Sequence, residues 1–136
     1  MKGKFNLIDI ARKGKAKLAG ESKFIKGFSI DSRTTIPGDL YIALKGNNFD
    51  GHDFVNQAKE NGAIAVVSEK EIDIELPLLK VDKTDDFLLE LAKSNRKSFK
   101  GKVIGITGSN GKTSTKEILA TLLSLNNKCH KTEGNK

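Results

Sequence analysis

The sequence predicts an α/β protein, and three observations carry that prediction. Short apolar, β-branched runs alternate with helix-like patterns along the chain. A glycine-rich turn separates one such run from an amphipathic stretch near residues 105–113. No internal repeat or low-complexity segment interrupts the alternation.

The elements follow in order. Asn6 is a helix cap, and the helix it opens runs to about Lys13 and stops near Gly14. In FIKGFSIDS, Phe28 and Ile30 alternate with small polar residues, a strand signal. Pro37-Gly38 is a turn pair, and Leu40–Leu44 is apolar enough for a buried strand. Asp53 precedes a helix carrying Phe54 and Ala58, with Gly62 as its stop. AIAVVSE and LPLLKVD read as the next two strands. Thr84 opens a longer helix with two aspartates in its first turn and basic residues near its end, matching the helix dipole. Its apolar face is expected along Leu88, Leu91, Ala92 and Asn95, with Phe87 beside it. After Gly101, KVIGIT is a strand; Ile118, Leu119, Leu122, Leu123 and Leu125 make an apolar stripe on the following helix, and KCHKT begins one more strand.

Composition narrows the class. Over 136 residues, 37% hydrophobic and 30% charged residues describe a globular protein able to bury a modest core. No apolar run approaches the ~18–20 residues of a membrane helix, so no membrane span is expected. The N-terminus lacks the apolar stretch of an export signal, and a cytosolic setting is expected. The single cysteine, Cys129, rules out an internal disulfide and reads as a small core hydrophobe. The net charge of +7 is concentrated: residues 1–30 hold eight Lys or Arg against two acids. A basic face of this kind suits a phosphate-bearing ligand or nucleic acid, but it equally suits a solvated lysine surface. The seven Phe and one Tyr are not interleaved with basic residues as a base-stacking platform requires, so no nucleic-acid partner is expected.

The chemistry sits in Gly108-Ser109-Asn110-Gly111-Lys112-Thr113, between an expected strand and an expected helix. Glycines let successive backbone N–H groups turn inward into an anion nest at a helix N-terminus. Lys112 suits β- and γ-phosphates, and the Thr113 hydroxyl suits Mg²⁺. The strict pattern asks for glycine five positions before Gly111, where Ile106 stands, so the loop is a variant. Phosphoryl transfer also requires a carboxylate for the metal. Only Glu117 and Glu133 follow the loop, and neither is convincingly placed.

TGSNGKTSTKE, together with DSRTTIPGDLYIALKGNNFDGHDFVNQAKENGAIAVVSE, resembles the Mur ligase family of peptidoglycan synthesis over nearly the whole chain, from Leu7 to Asn135. Ser109, Lys116 and the closing TEGN resemble the branch that adds a dipeptide more than the branch that adds the third peptide residue. The resemblance implies an α/β chain with a small N-terminal mixed-sheet domain for the UDP-sugar, residues 1–83. Residues 84–136 would be the first strand–phosphate-loop–helix unit of a parallel-sheet ATPase domain. It implies ATP and Mg²⁺ as cofactors, and UDP-N-acetylmuramoyl-tripeptide and D-alanyl-D-alanine as substrates joined through an acyl phosphate.

Carried over by position, Ser32 and Arg33 face the UDP moiety. The segment Asn47, Asn48, Phe49, Asp50, Gly51 and His52 forms a loop beside the nucleotide sugar, and Lys45 joins the same substrate-binding set. Gly108, Ser109, Asn110, Gly111, Lys112, Thr113 and Ser114 hold the ATP phosphates, with Thr113 on Mg²⁺. Plainer readings stand beside these: Asp31 and Arg33 as a strand-end ion pair, and His52 as a residue that merely precedes a helix cap at Asp53. The remaining ligase domains are expected as partners, no complete catalytic set is expected in this chain, and it is expected to be inactive alone. Three alternatives stay open: a non-catalytic UDP-sugar-binding module, part of the ligase that adds the third residue, and an unrelated phosphate-loop protein that binds nucleic acid.

Overall fold

The computed structural model describes residues 5–133. The last two residues of the TEGN block, and Lys2 and Lys4 of the basic N-terminus, lie outside them. The chain divides into two compact units, one through Phe99 and one from Lys100.

The first unit opens with β1 (Phe5–Asn6) and α1 (Leu7–Gly14). Asn6 caps α1 as expected: its side chain accepts a 2.8 Å bond from the Ile8 N–H. The helix also stops at Gly14, as expected. The left-handed residue is Lys15, at φ 56°, and not Gly14. Gly14 is needed for space, since a Cβ there would lie 2.3 Å from the Phe87 ring.

Two short strands then follow, β2 (Lys17–Ala19) and β3 (Phe24–Ile25). β3 pairs antiparallel with β1. β4 (Gly27–Ser29), β5 (Asp39–Ile42), β6 (Ala65–Ser68) and β7 (Leu78–Lys80) pair in parallel as neighbours, and β2 closes the far edge antiparallel to β7. The sheet order is β2-β7-β6-β5-β4. FIKGFSIDS is therefore two strands split at Lys26, belonging to different sheets.

β5 and β6 are buried at every position, as central parallel strands covered on both faces must be. Leu40, Ile42, Ala65, Val67 and Leu79 pack with Leu7, Ile10 and Phe87 on one face. Tyr41, Ala43, Val66 and Leu78 pack with Val55 and Ala58 on the other. The first of these faces is covered by α1 and α3 (Thr84–Ser98), the second by α2 (Val55–Glu60). Gly62, at φ 108°, ends α2 as expected, and its Cα lies so close to Pro37 that a Cβ would meet the Pro37 Cα at 2.6 Å.

On α3 the buried face is Thr84 and Phe87, with Leu88 and Leu91 half-buried; Ala92 and Asn95 point to solvent. The inward stripe is thus rotated toward the helix start. Because α3 docks through Phe87 onto α1, it belongs to the first unit.

The second unit contains α4 (Lys112–Ser124). Residues 102–107 and 128–132, both expected as strands, form no ladder among the described residues. A strand is held by hydrogen bonds to a neighbour, and β-propensity alone does not supply one.

Candidate functional site

In the first unit, the carboxyl ends of β4, β5 and β6 lead into the segments that carry the candidate residues, the usual ligand-receiving edge of an open parallel sheet. After β4, Asp31 accepts the Arg33 N–H at 3.0 Å and starts a short 3-10 turn, Ser32–Thr34. Ser32 is buried; its hydroxyl donates to Gln57 Oε1 at 2.5 Å, while Asn61 Nδ2 donates to the Ser32 carbonyl at 2.7 Å. These bonds tie the turn to the α2 region. The Arg33 guanidinium forks onto Asp31, Nε to Oδ1 at 3.0 Å and Nη2 to Oδ2 at 2.7 Å. That fork holds the Asp31 carboxyl down to about 2. The strand-end ion pair therefore exists, and the Arg33 side chain remains 79% exposed at the rim.

After β5 the chain makes a narrow loop. Lys45 bridges antiparallel to Asp50, and the Gly46 N–H donates to the Phe49 carbonyl at 2.9 Å. Lys45, Asn47, Asn48 and Phe49 are exposed, the Phe49 ring to 68%. The loop base is fixed from the core: Tyr41 Oη donates to the Gly51 carbonyl at 3.0 Å. Burial pushes the Tyr41 phenol up, and the charges of Asp31 and Asp50 add to that.

Asp50 then starts a second 3-10 turn, Gly51–Phe54, by accepting the His52 N–H at 3.0 Å. The same carboxylate takes the His52 Nδ1 and, at 2.8 Å, the Lys70 ammonium. His52 is buried, its side chain 3% exposed. Its Nε2 accepts the Glu69 N–H at 3.1 Å. An accepting Nε2 carries no proton, so these partners assign the neutral ring with hydrogen on Nδ1. Glu69 Oε1 in turn accepts the Thr84 N–H at 2.7 Å and the Thr84 hydroxyl at 2.9 Å. It caps α3, a task that Lys83 at the N-cap position does not perform. Asp50 and His52 were expected in the site; Glu69 and Lys70 were not, and Thr84 was expected only as the start of a helix. The two-residue Asx step from Asp50 to His52 is visible locally, whereas the bonds to Glu69 and Lys70 span 17 and 20 residues and have no local signal.

In the second unit, Gly108, Ser109, Asn110 and Gly111 form an exposed turn into α4, with Gly111 at φ 75° as its N-cap. A glycine N-cap brings no side-chain acceptor to the helix start, and a Cβ at Gly111 would meet nothing within 4 Å. Lys112 folds back so that its ammonium donates to the Gly108 carbonyl. Thr113 and Ser114 lie in the first turn of α4. An N-terminus open in this way, beside a lysine, fits a phosphate chain. Glu117 is engaged by Lys131 and by Lys116, the latter at 3.8 Å. Among the described residues no group of three His, Cys, Asp or Glu side chains converges. Cys129, expected in the core, is exposed, because the segment after α4 is not covered by any sheet among the described residues. No described helix is long and apolar enough to cross a membrane.

A family model described as "Mur ligase family, catalytic domain" matches residues 24–97, and one described as "Mur ligase middle domain" matches residues 106–136. The UDP-N-acetylmuramoyl-tripeptide--D-alanyl-D-alanine ligase of Escherichia coli (strain K12) is 43% identical over 107 residues, 79% of this chain and 24% of its own length. The UDP-N-acetylmuramoyl-L-alanyl-D-glutamate--2,6-diaminopimelate ligase of Bacillus velezensis is 40% identical over 97 residues, 70% of this chain and 20% of its own. The crystal structure of MurF from Acinetobacter baumannii is similar over 88% of this chain and 27% of its own, with a TM-score of 0.78 at 35% identity. The chain spans about a quarter of the length of the curated relatives it matches.

Proposed function

This chain belongs to the Mur ligase family, and from that premise we propose that it supplies the substrate-receiving and ATP-gripping parts of a ligase joining D-alanyl-D-alanine to UDP-N-acetylmuramoyl-tripeptide. The observation that carries the reading is one of register. The break between the two compact units, at Phe99 and Lys100, falls between the two matched segments, residues 24–97 and 106–136. We assign the UDP-sugar to the first unit and ATP to the second, with the functional boundary at that break.

In the first unit, the ligand lies against Ser32, Arg33, Lys45 and the exposed part of the loop, Asn47, Asn48 and Phe49, while Gly51 and His52 sit beneath it and hold the loop without touching the ligand. Arg33 and Lys45 meet the diphosphate; Arg33 presents a planar fork to it once released from Asp31. Exposed Asn47, Asn48 and Phe49 give the loop tip polar and flat apolar contacts. In the second unit, Gly108, Ser109, Asn110, Gly111, Lys112, Thr113 and Ser114 cradle the triphosphate, and the Thr113 hydroxyl joins the Mg²⁺ shell. In the complete ligase ATP would pass its terminal phosphoryl group to a peptide carboxylate, a poor electrophile, leaving as ADP, and the amine of D-alanyl-D-alanine would then displace phosphate from the acyl phosphate to form the amide. Lys112 neutralises charge near the transferring group, and the α4 N-terminus orients it. These residues bind and orient; Glu117, held by two lysines, is not spare to complete the metal site. The 136-residue chain alone therefore binds without turning over.

The choice of dipeptide-adding activity rests on Ser109 and Lys116, and on the 43% identity to a ligase named for that step. The 40% identity to a ligase named for adding 2,6-diaminopimelate favours a second reading, in which the acceptor is UDP-N-acetylmuramoyl-L-alanyl-D-glutamate. Titration calorimetry separates the two. We expect UDP-N-acetylmuramoyl-tripeptide to bind at least tenfold more tightly than UDP, and more tightly than UDP-N-acetylmuramoyl-L-alanyl-D-glutamate. The reverse order between the two muramoyl ligands favours the second reading, and binding to none of the three refutes both. ADP release by this chain that requires both tripeptide and dipeptide would refute its inactivity.

A further inference from the structure

His52 lies in the middle of an unbroken polar chain that the proposed contacts do not use. Lys70 and His52 Nδ1 hold Asp50 at the end of the exposed loop. His52 Nε2 holds the Glu69 N–H, and the Glu69 carboxylate holds the backbone and hydroxyl of Thr84 at the first turn of α3. Three segments far apart in sequence are joined: the loop after β5, the residues after β6 and the start of α3. We infer that His52 is a positioning residue, a buried strut that locks the Lys45–Gly51 loop to the N-terminus of α3 through Glu69 and so presets the loop for its ligand. The ligand half of this inference rests on the proposed UDP-sugar site.

The imidazole is buried, so it cannot reach a ligand without leaving its pocket, and both ring nitrogens are already engaged. A neutral imidazole offers one donor and one acceptor on opposite sides of a rigid ring, and here each faces a different segment. No shorter side chain spans both partners. Asn offers a donor near the Nδ1 position, and Gln offers an acceptor near the Nε2 position, so each restores half of the strut. Loss of either half frees the loop or the α3 cap separately. By linkage, a ligand that orders the loop also tightens the Glu69–Thr84 contact.

Amide hydrogen exchange on the whole chain, with and without saturating UDP-N-acetylmuramoyl-tripeptide, tests this. In His52→Ala, exchange at residues 45–51 and at Glu69 and Thr84 is expected to rise at least tenfold, while Val66 and Val67 in the central strand stay within twofold. His52→Asn is expected to restore protection to 45–51 only, and His52→Gln to Glu69 and Thr84 only. In the wild-type chain the ligand slows exchange at Thr84 about tenfold, and in His52→Ala it does not. A rise at the strand amides in all three variants would mean that His52 only supports folding, and no rise at either end in His52→Ala would mean that no strut exists; either result overturns the inference. If wild-type protein shows the exchange pattern but no ligand binding, the strut stands and the proposed site falls.

Discussion

Asp50 takes three donors, from Lys70, the His52 backbone and the His52 ring, and Glu69 takes two from Thr84. Lys70 above all holds the Asp50 carboxyl below the usual carboxylate range, and the Thr84 N–H does the same for Glu69. Both groups are more acidic folded than unfolded, so each stabilises the fold above the ordinary carboxylate pKa, and that contribution is lost as pH falls through the depressed values. The thermal midpoint is expected to drop steeply from about pH 4 downward, the range where unfolded Asp and Glu take up protons. Asp50→Asn and Glu69→Gln should each cost about 1.5–3 kcal/mol at pH 7, the usual worth of hydrogen bonds to a charged group, and should flatten that acid limb. Melts at a series of pH values check both; an unchanged acid limb in the double variant would mean that other carboxylates govern it. Arg33 is the opposite case. Its ion pair with Asp31 lies at an exposed rim, where solvent screens it, so Arg33→Ala should leave the thermal midpoint nearly unchanged while weakening nucleotide-sugar binding at least tenfold. Equal calorimetric affinity in wild type and variant would remove Arg33 from the site. The sequence showed this pair, because Asp31 and Arg33 are two residues apart, and the resemblance implied a loop over Asn47–His52. It did not show that the Ser32 hydroxyl is given to Gln57, a bond across 25 residues that depends on how α2 settles against the sheet.

Among the elements, those legible in sequence are the ones whose stability is local or whose burial is two-sided. Asn6 marks the start of α1 because its side chain meets a backbone donor two residues on. β5 and β6 are legible because strands covered on both faces are apolar without interruption. β1 and β2 were not, since each is only two or three residues long and exists through its partner, β3 or β7. The expected strands at 102–107 and 128–132 fail for the converse reason, a strand-like composition with no partner among the described residues. The face of α3 was misplaced because helical periodicity fixes a spacing but not which stripe a neighbour selects, and here Gly14 selects Phe87 by leaving it room. That contact is testable. Phe87 is 1% exposed between α1, α3 and the sheet, and Phe87→Ala should destabilise the first unit by about 3–5 kcal/mol. At roughly 4–8 °C per kcal/mol for a domain of this size, its melting midpoint falls by well over 10 °C. Gly14→Ala should also destabilise it, because the added methyl group meets the ring from the other side. A Gly14→Ala, Phe87→Leu pair that recovers part of the loss would tie the two effects to one contact; losses that simply add would separate them.

For the whole molecule, the decisive question is where one unit stops. A boundary at residue 83 would give α3 to the phosphate-loop unit, whereas compactness places it with the sheet, through Phe99. The two divisions have different energetic consequences. α3 contributes Phe87 and Thr84 to the buried interior and packs Leu88 and Leu91 against the same cluster, and its first turn is capped by Glu69, the residue after β6. Cutting at 83 removes all of this at once and leaves one face of β5, β6 and β7 covered only by α1. The loss from Phe87 alone is a large part of the 5–15 kcal/mol by which a typical domain is stable. Residues 1–99 on their own should therefore unfold in a single urea transition and bind the nucleotide sugar as the full chain does. Residues 1–83 should show no cooperative transition and no binding. None of the α4 side chains is buried, and Lys112→Ala in the full chain should abolish ATP binding and leave the urea midpoint of the first unit unchanged. Were residues 1–83 to unfold as sharply as residues 1–99, α3 would be an accessory to the sheet, and the ligand-binding unit would end before it.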